Sequence, residues 1–96
     1  MTHSVFFKLS YPKSSIEENL FFEAVNTLIT IPGIVNFRCV KQTSKKNDFD
    51  YGIIMEFDTQ KEYDYYATHP LHSHFVQYHW IPSVEKFMEL DFETIH

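Results

Sequence analysis

Hydrophobic and polar residues alternate in four segments of the chain, and two other segments repeat hydrophobic residues at steps of three and four positions. Alternation is typical of a β-strand with one buried face, whereas the longer steps follow one face of a helix. The alternating segments, predicted as strands, are residues 3–9, 34–41, 49–57 and 84–92. One helical segment follows the first strand, and the other follows the third. The pattern therefore predicts the order strand, helix, strand, strand, helix, strand.

The alternation also predicts which side chains share a face of the sheet. On the first strand, the more apolar face carries His3, Val5, Phe7 and Leu9. On the second strand, one face carries Val35, Phe37 and Cys39. On the third, the apolar set is Phe49, Tyr51, Ile53, Met55 and Phe57. On the last strand, Val84, Met88, Leu90 and Phe92 are predicted to lie opposite Glu85, Glu89 and Asp91.

A hydroxyl residue followed three positions later by glutamate, the spacing of a capping box, occurs at the predicted start of both helices. This spacing occurs twice before the first helix, at Ser14 and at Ser15, and once before the second, at Thr59. Pro70 is predicted to open a further helical segment over residues 71–80, because proline fits the first turn of a helix better than its interior. We expect this segment to end before Pro82.

Two helices on one face of a four-stranded antiparallel sheet form the ferredoxin-like βαββαβ arrangement of the α+β class. A chain of 96 residues is long enough for one domain, residues 1–96. Large apolar side chains fall on both faces of the predicted strands, and an open sheet does not leave such a face in water. We therefore expect a homodimer, in which two copies of the sheet wrap into an α/β barrel.

Composition and charge exclude several classes of protein. Aromatic residues make up 18 % of the chain, which rules out intrinsic disorder. The net charge is −5 and no basic run is longer than Lys45-Lys46, so nucleic acid and anionic membrane surfaces are not expected partners. We expect neither a signal peptide nor a membrane span. Cys39 is the single cysteine and can form no internal disulfide, so a cytoplasmic location is expected.

Six histidines are the most unusual feature of the composition. Histidine titrates near neutral pH and is the commonest acid–base group in enzymes. On a helix that starts at Pro70, His72 shares a face with Phe75 and Val76, so its ring can point among aromatic side chains. There it can act as a general base if a second group orients its other ring nitrogen. The alternative is a partly buried histidine that bonds a backbone carbonyl and has no catalytic role.

Other residues with functional groups have competing interpretations. His3 heads the apolar face of the first strand, either as an isolated side chain with its own partner or as the polar floor of a pocket. Tyr66 lies one helical turn after Tyr63, and either hydroxyl can polarise a substrate carbonyl. Tyr51 can do the same from the third strand. For these tyrosines the alternative is packing in an amphipathic core, and Trp80 is expected to be a packing anchor.

The histidines of the third helical segment do not have the pattern of a metal site. His69, His72 and His74 are spaced as metal ligands can be, but zinc sites need three or four ligands that converge. His69 and His74 would point away from the helix face that carries His72, and no carboxylate lies among them. With only Gly33 and Gly52, the chain also lacks a glycine-rich phosphate loop. We therefore predict neither a metal nor a cofactor.

Four segments resemble the stress-responsive α/β-barrel (Dabb) family. They are the first strand, the Ile-Pro-Gly-Ile turn at residues 31–34, the third strand and, most specifically, the segment Tyr66-Ala-Thr-His-Pro-Leu-His72. The resemblance covers nearly the whole chain in order. It implies a ferredoxin-like protomer and a homodimeric α/β barrel, in agreement with the argument from packing.

The same resemblance suggests a chemistry. One plant member of the family closes a linear polyketide by an intramolecular aldol reaction without a cofactor. Its base is a histidine that corresponds to His72, with a tyrosine partner that corresponds to Tyr66. A further pocket histidine corresponds to His3, and Tyr51 stands near the position where the plant enzyme has another histidine. Removal of a proton α to a carbonyl needs such a base together with a hydroxyl that stabilises the developing enolate.

Three classes of function follow from these patterns. The first is a cofactor-free cyclase or lyase that acts on a small apolar carbonyl-bearing molecule, with cofactor-free oxygen chemistry as a variant by analogy of fold. In this hypothesis His72 and Tyr66 are catalytic. The residues predicted to bind substrate are His3, Tyr51, His69, Phe75 and Trp80.

The second class is a non-catalytic binder of small molecules, and the third is a protein-interaction dimer whose cavity is filled by its own aromatic side chains. A cavity that opens to solvent and is lined by His72 and Tyr66 would argue against the third class. A cavity smaller than ~300 Å³, below the usual range for ligands, would favour it.

Overall fold

The computed structural model describes all 96 residues, and its elements follow the predicted order. The strands are β1 (Thr2–Leu9), β2 (Val35–Lys41), β3 (Tyr51–Glu56) and β4 (Val84–Phe92). The helices are α1 (Ile16–Asn26), α2 (Gln60–Thr68), α3 (Pro70–Phe75) and α4 (Ile81–Ser83). A 3₁₀ turn, Thr27–Thr30, follows α1, and a π-helical segment, Val76–Trp80, joins α3 to α4. The sheet order is β2–β3–β1–β4 with every pair antiparallel, which confirms the ferredoxin-like arrangement.

The helices begin where hydroxyl side chains cap them. Of the two capping boxes before α1, the structure uses the second: Ser15 Oγ accepts a hydrogen bond from the Glu18 backbone N–H at 3.2 Å. Glu18 in turn accepts one from the backbone N–H of Ser14. Thr59 caps α2 in the same way, accepting from the backbone N–H of Glu62. These bonds satisfy N–H groups that the first helical turn leaves without partners.

The third helical segment starts at Pro70 as predicted, but it does not end before Pro82. Helical backbone continues through α4 to Ser83. The turn before Pro82 is π-helical, a wider coil that accommodates a residue with no N–H to donate. The prediction of the helix end was therefore wrong by three residues, 81–83.

A core of eleven buried residues lies between the helices and one face of the sheet, the helix face. β1 contributes Phe7 and Leu9 to it, and the paired positions of β3 contribute Ile53 and Met55. The first strand thus has the predicted alternation of faces, and so has the third from Tyr51 onward. Phe49 was predicted to share the face of Tyr51, but it precedes β3 and lies beside Phe6 and Met88 on the open face, so that prediction was wrong. From the helical side the core receives Phe21, Val25, Leu28, Tyr66 and Phe75.

Two bulges change the faces predicted for the outer strands. On β2, Val35 pairs with Glu56 and Arg38 with Ile54, so one extra residue lies between them, and Asn36 has φ of +52°. Val35 therefore faces away from Cys39, with which it was predicted to share a face. An inserted residue reverses the alternation because successive side chains point to opposite faces.

On β4 the register shifts beside the junction of Lys8 and Leu9. Val84 pairs with Leu9 on the helix face, whereas Met88 pairs with Phe6 on the other. The prediction that Val84 shares a face with Met88 was therefore wrong. The prediction that Met88, Leu90 and Phe92 lie on the opposite face from Glu89 and Asp91 was right. Both carboxylates lie on the helix face.

The face of the sheet that no helix covers, the open face, is largely apolar. Leu90 and Met88 are each 49 % exposed and Phe92 is 54 % exposed. Phe6 and Ile54 lie beside them and are partly buried. This is the uncovered apolar surface that the strand pattern predicted. None of the helices is long and apolar enough to cross a membrane.

Candidate functional site

A cavity lies between the helix face of the sheet and the segment that runs from α2 to the π-helical turn. Its volume is about 190 Å³, it opens to solvent, and nine of its twelve lining residues are hydrophobic. The apolar part of the lining includes Val5, Ile53, Met55, Phe75, Trp80 and Phe87. The polar groups that interrupt it come from His3, Tyr66, His72 and Glu89. The structure thus brings together five of the seven predicted site residues: His3, Tyr66, His72, Phe75 and Trp80.

His72 lies on α3, one turn after the helix begins at Pro70. Its Nδ1 atom is 3.1 Å from the carbonyl oxygen of Ala67. Because a carbonyl only accepts hydrogen bonds, Nδ1 carries the proton of the neutral ring and Nε2 carries the lone pair. Burial lowers the pKa of His72, the hydrogen bond to Ala67 opposes this, and the nearby His3 lowers the pKa further. The ring is therefore neutral at pH 7 and can accept a proton at Nε2.

Tyr66 lies beside His72, and their ring centroids are 4.6 Å apart. Burial raises the pKa of Tyr66 well above its usual range, and Tyr63 and Glu89 add to the increase. The Tyr66 hydroxyl forms no hydrogen bond within the chain. Every fully buried polar side-chain atom does form one, so the Tyr66 hydroxyl is not fully buried and is accessible from the cavity. A neutral hydroxyl in this position is a hydrogen-bond donor for an oxygen atom of a bound molecule.

His3 is buried, with only 6 % of its surface exposed, and its ring contacts Tyr63 and Tyr66. The register of β1 and β4 places His3 directly opposite Asp91, and His3 Nδ1 lies 2.6 Å from Asp91 Oδ1. The carboxylate accepts a hydrogen bond from Nδ1, and the His3 side chain lines the cavity. Sequence analysis missed Asp91, because only the pairing of the first and last strands brings it to His3.

Glu89 lies two residues before Asp91 on the same face of β4 and was also missed. One donor atom from each of His3, Glu89 and Asp91 lies within 4.8 Å of the others. One imidazole nitrogen and two carboxylate oxygens form a donor set that several divalent metals accept. This set differs from the histidine cluster of residues 69–74 that sequence analysis considered.

Two predicted site residues do not line the cavity. Tyr51 donates a hydrogen bond from its hydroxyl to Glu18 Oε2 at 2.9 Å, and burial together with Glu18 raises the pKa of Tyr51 to about 12. His69 caps α3, accepting a hydrogen bond at Nδ1 from the backbone N–H of Leu71. Both side chains therefore have structural partners outside the cavity lining.

Known proteins are similar to this chain in sequence and in fold. The family model described as Stress responsive A/B Barrel Domain (Dabb) matches residues 1–94. A Dabb family protein with a ferredoxin-like fold from Mesorhizobium loti is 38 % identical, with a TM-score of 0.95 over 99 % of this chain and 96 % of the other. No curated protein matches the chain.

Two further solved structures share the fold at lower identity. A dimeric protein of unknown function and ferredoxin-like fold from Bacteroides fragilis is 26 % identical, with a TM-score of 0.71 over 97 % of this chain and 94 % of that one. A hydroxynitrile lyase from Passiflora edulis is 16 % identical, with a TM-score of 0.82 over 99 % of this chain and 95 % of that one.

Proposed function

This chain belongs to the stress-responsive A/B barrel domain (Dabb) family, as its motifs predicted, and on that premise we propose that it binds a small apolar carbonyl-bearing molecule and performs cofactor-free acid–base chemistry on it. The observation that carries the proposal is the hydrogen bond between His72 Nδ1 and the Ala67 carbonyl. It fixes the ring so that the basic nitrogen is Nε2, on a side chain that lines the cavity.

The proposed reaction begins with proton transfer from carbon to nitrogen. His72 Nε2 takes a proton from the carbon α to the substrate carbonyl, and the electron pair of the broken C–H bond moves into the enolate. The Tyr66 hydroxyl donates a hydrogen bond to the enolate oxygen, where the negative charge develops. The apolar lining strengthens this interaction because the local dielectric constant is lower than that of water. The enolate then attacks a second carbonyl to form a carbon–carbon bond and an alkoxide, as in a cyclase, or expels a leaving group, as in a lyase. The proton on His72 Nε2 passes to the alkoxide or to the leaving group, which restores the neutral ring.

His3 has a supporting role in this proposal. Asp91 accepts a hydrogen bond from His3 Nδ1. His3 Nε2 therefore offers a second polar atom to a bound substrate on the sheet side of the cavity. Phe75 and Trp80 supply the apolar walls. The Passiflora lyase is similar in fold alone, and it supports only the capacity of this fold to carry a lyase site.

We also propose that the protein is a homodimer joined through the open face. Met88, Leu90 and Phe92 are about half exposed in the protomer, and a monomer gains stability by burying such a surface. The Bacteroides fragilis protein of the same fold is described as dimeric. A second copy placed against the open face leaves the cavity, on the opposite face, accessible.

A non-catalytic function in ligand binding or protein interaction is the second candidate. The volume of about 190 Å³ favours the protein-interaction form of this candidate, because ligand cavities usually exceed ~300 Å³. The opening to solvent and the presence of His72 and Tyr66 in the lining argue against a cavity filled by the protein's own side chains.

Hydrogen–deuterium exchange at the α-carbon of phenylacetone tests the catalytic proposal and does not require that the natural substrate be known. The protein in D₂O is expected to accelerate this exchange at least tenfold over buffer, as followed by proton NMR. His72→Ala and His72→Gln should abolish the acceleration, and His74→Ala, which alters an exposed histidine outside the lining, should retain it. Binding without accelerated exchange would identify the non-catalytic alternative.

A further inference from the structure

Glu89 is the only acidic or basic side chain, histidines aside, among the residues that line the cavity. It comes from the edge strand β4, where it pairs with Val5 of β1 and faces the helices rather than the open face. Lysine and arginine are absent from the lining. Glu89 is exposed, so the solvent side of the cavity carries a carboxylate with no lysine or arginine beside it.

None of the ion pairs of the chain includes Glu89. The nearest basic residue along the strand, Lys86, pairs with Lys8 of β1 on the open face and bonds to Asp48. Asp91 adds a second carboxylate close to Glu89, although Asp91 already bonds to His3. Burial is the main cause of the raised pKa values of Tyr63 and Tyr66, and the negative charge of Glu89 raises both further.

We propose that Glu89 determines specificity, so that among carbonyl-bearing ligands of similar shape the cavity prefers one that also carries a protonated amine and rejects one that also carries a carboxylate. The inference rests on the proposed function, since it presupposes that the cavity binds a small molecule. An anionic ligand would meet an uncompensated carboxylate where low-dielectric walls strengthen repulsion. It would also find no lysine or arginine to replace the water that its charge loses. A protonated amine instead gains a charged acceptor at the mouth.

The volume of the cavity limits the ligands that can be used as probes. Its volume of about 190 Å³ is below the ~300 Å³ of most ligand cavities, so a small probe is required. One aromatic ring with a short side chain is a suitable size. Three such compounds share a phenyl ring and differ in the charge of the polar end: 2-phenylethylamine is cationic at pH 7, phenylacetone is neutral and phenylacetate is anionic.

The test is titration of ¹⁵N-labelled full-length protein with each compound at pH 7, followed through amide chemical shifts. EDTA in the buffer keeps metal ions from the His3, Glu89 and Asp91 donors. We expect 2-phenylethylamine to bind at least tenfold more tightly than phenylacetate, with phenylacetone between them. Glu89→Gln, which removes the charge but keeps the size, should reduce that ratio to about one to threefold.

Glu85→Gln is the matched control. It lies on the same strand, changes the net charge equally, and is outside the cavity lining, so it should keep the wild-type ratio. Binding of phenylacetate as tight as that of the amine, or a preference that survives Glu89→Gln, would overturn the charge preference alone and leave the proposed function standing. If none of the three compounds binds, both proposals fail.

Discussion

His3 and Asp91 lie at opposite ends of the sequence and form a hydrogen bond of 2.6 Å across neighbouring strands. His3 is almost fully buried, whereas the Asp91 side chain is 35 % exposed. The pair therefore joins a buried ring on the cavity floor to a carboxylate at the edge of the sheet. Because the carboxylate can only accept, it fixes a proton on His3 Nδ1 and holds the ring in place in the cavity lining.

Replacement of Asp91 by asparagine is expected to lower the free energy of unfolding by about 1 kcal/mol, because the amide oxygen accepts the His3 hydrogen bond without the charge that strengthens it. Urea denaturation measures the change. Glu85→Gln, which removes an equally charged but exposed group from the same strand, should change it by less than about 0.5 kcal/mol. An Asp91→Asn protein as stable as the wild type would show that the pair contributes little.

The protonation of His72 should control both activity and part of the stability. Because its folded-state pKa is lowered below the ordinary value of 6.5, the unfolded chain binds a proton first as pH falls. The stabilising contribution of the neutral ring is thus complete above about pH 6.5 and is lost as pH falls through the folded-state pKa. The His72 Cε1 proton resonance should titrate with a midpoint below pH 6.5.

The α-exchange rate of phenylacetone should follow the same midpoint, reaching a plateau above it. Agreement of the kinetic and NMR midpoints assigns the base to His72. If the exchange rate does not change with pH in the range where His72 titrates, another group removes the proton.

Placing a charge on the open face should separate the proposed dimer. Leu90→Lys puts an ammonium group at the centre of the surface that two copies would bury, where an unpaired charge is strongly unfavourable. Sedimentation velocity should report a dimer for the wild type at micromolar concentration and a monomer for this variant. Leu20→Lys is a matched control, because Leu20 is similarly exposed on α1, on the other side of the molecule. A wild-type protein that sediments as a monomer would contradict the dimer proposal.

Gly52 on β3 is expected to tolerate no side chain. A Cβ atom there would lie 2.6 Å from Phe6 Cε1 and 3.0 Å from Val40 Cγ2, both on the open face. Gly52→Ala should therefore displace the Phe6 ring and cost about 1–3 kcal/mol of stability, as overpacking does. Thermal unfolding of this variant beside Gly52→Ala/Phe6→Ala tests the cause, because removal of the ring should recover part of the loss. Without recovery in the double variant, the clash with Phe6 is not the reason.

The sequence by itself determined the order of the elements, the four-stranded antiparallel sheet and the apolar open face. These follow from local patterns: alternation for strands, three- and four-residue steps for helices, and hydroxyl caps at Ser15 and Thr59. It also predicted that the His72 ring lies among aromatic side chains, because on a helix that starts at Pro70 His72 shares a face with Phe75 and Val76, and all three line the cavity. The sequence was sufficient to predict a feature wherever the residues that determine it lie close together along the chain.

Only the tertiary structure decided where the carboxylates of the last strand lie. Glu89 reaches the cavity lining and Asp91 reaches His3 because β4 returns antiparallel to β1, and a bulge at one junction sets which side chains of β4 face the helices. Tyr51, by contrast, is held by Glu18, a partner 33 residues away. The register of paired strands and the hydrogen-bond partners of side chains depend on how distant segments pack. No local pattern in a single sequence predicts them.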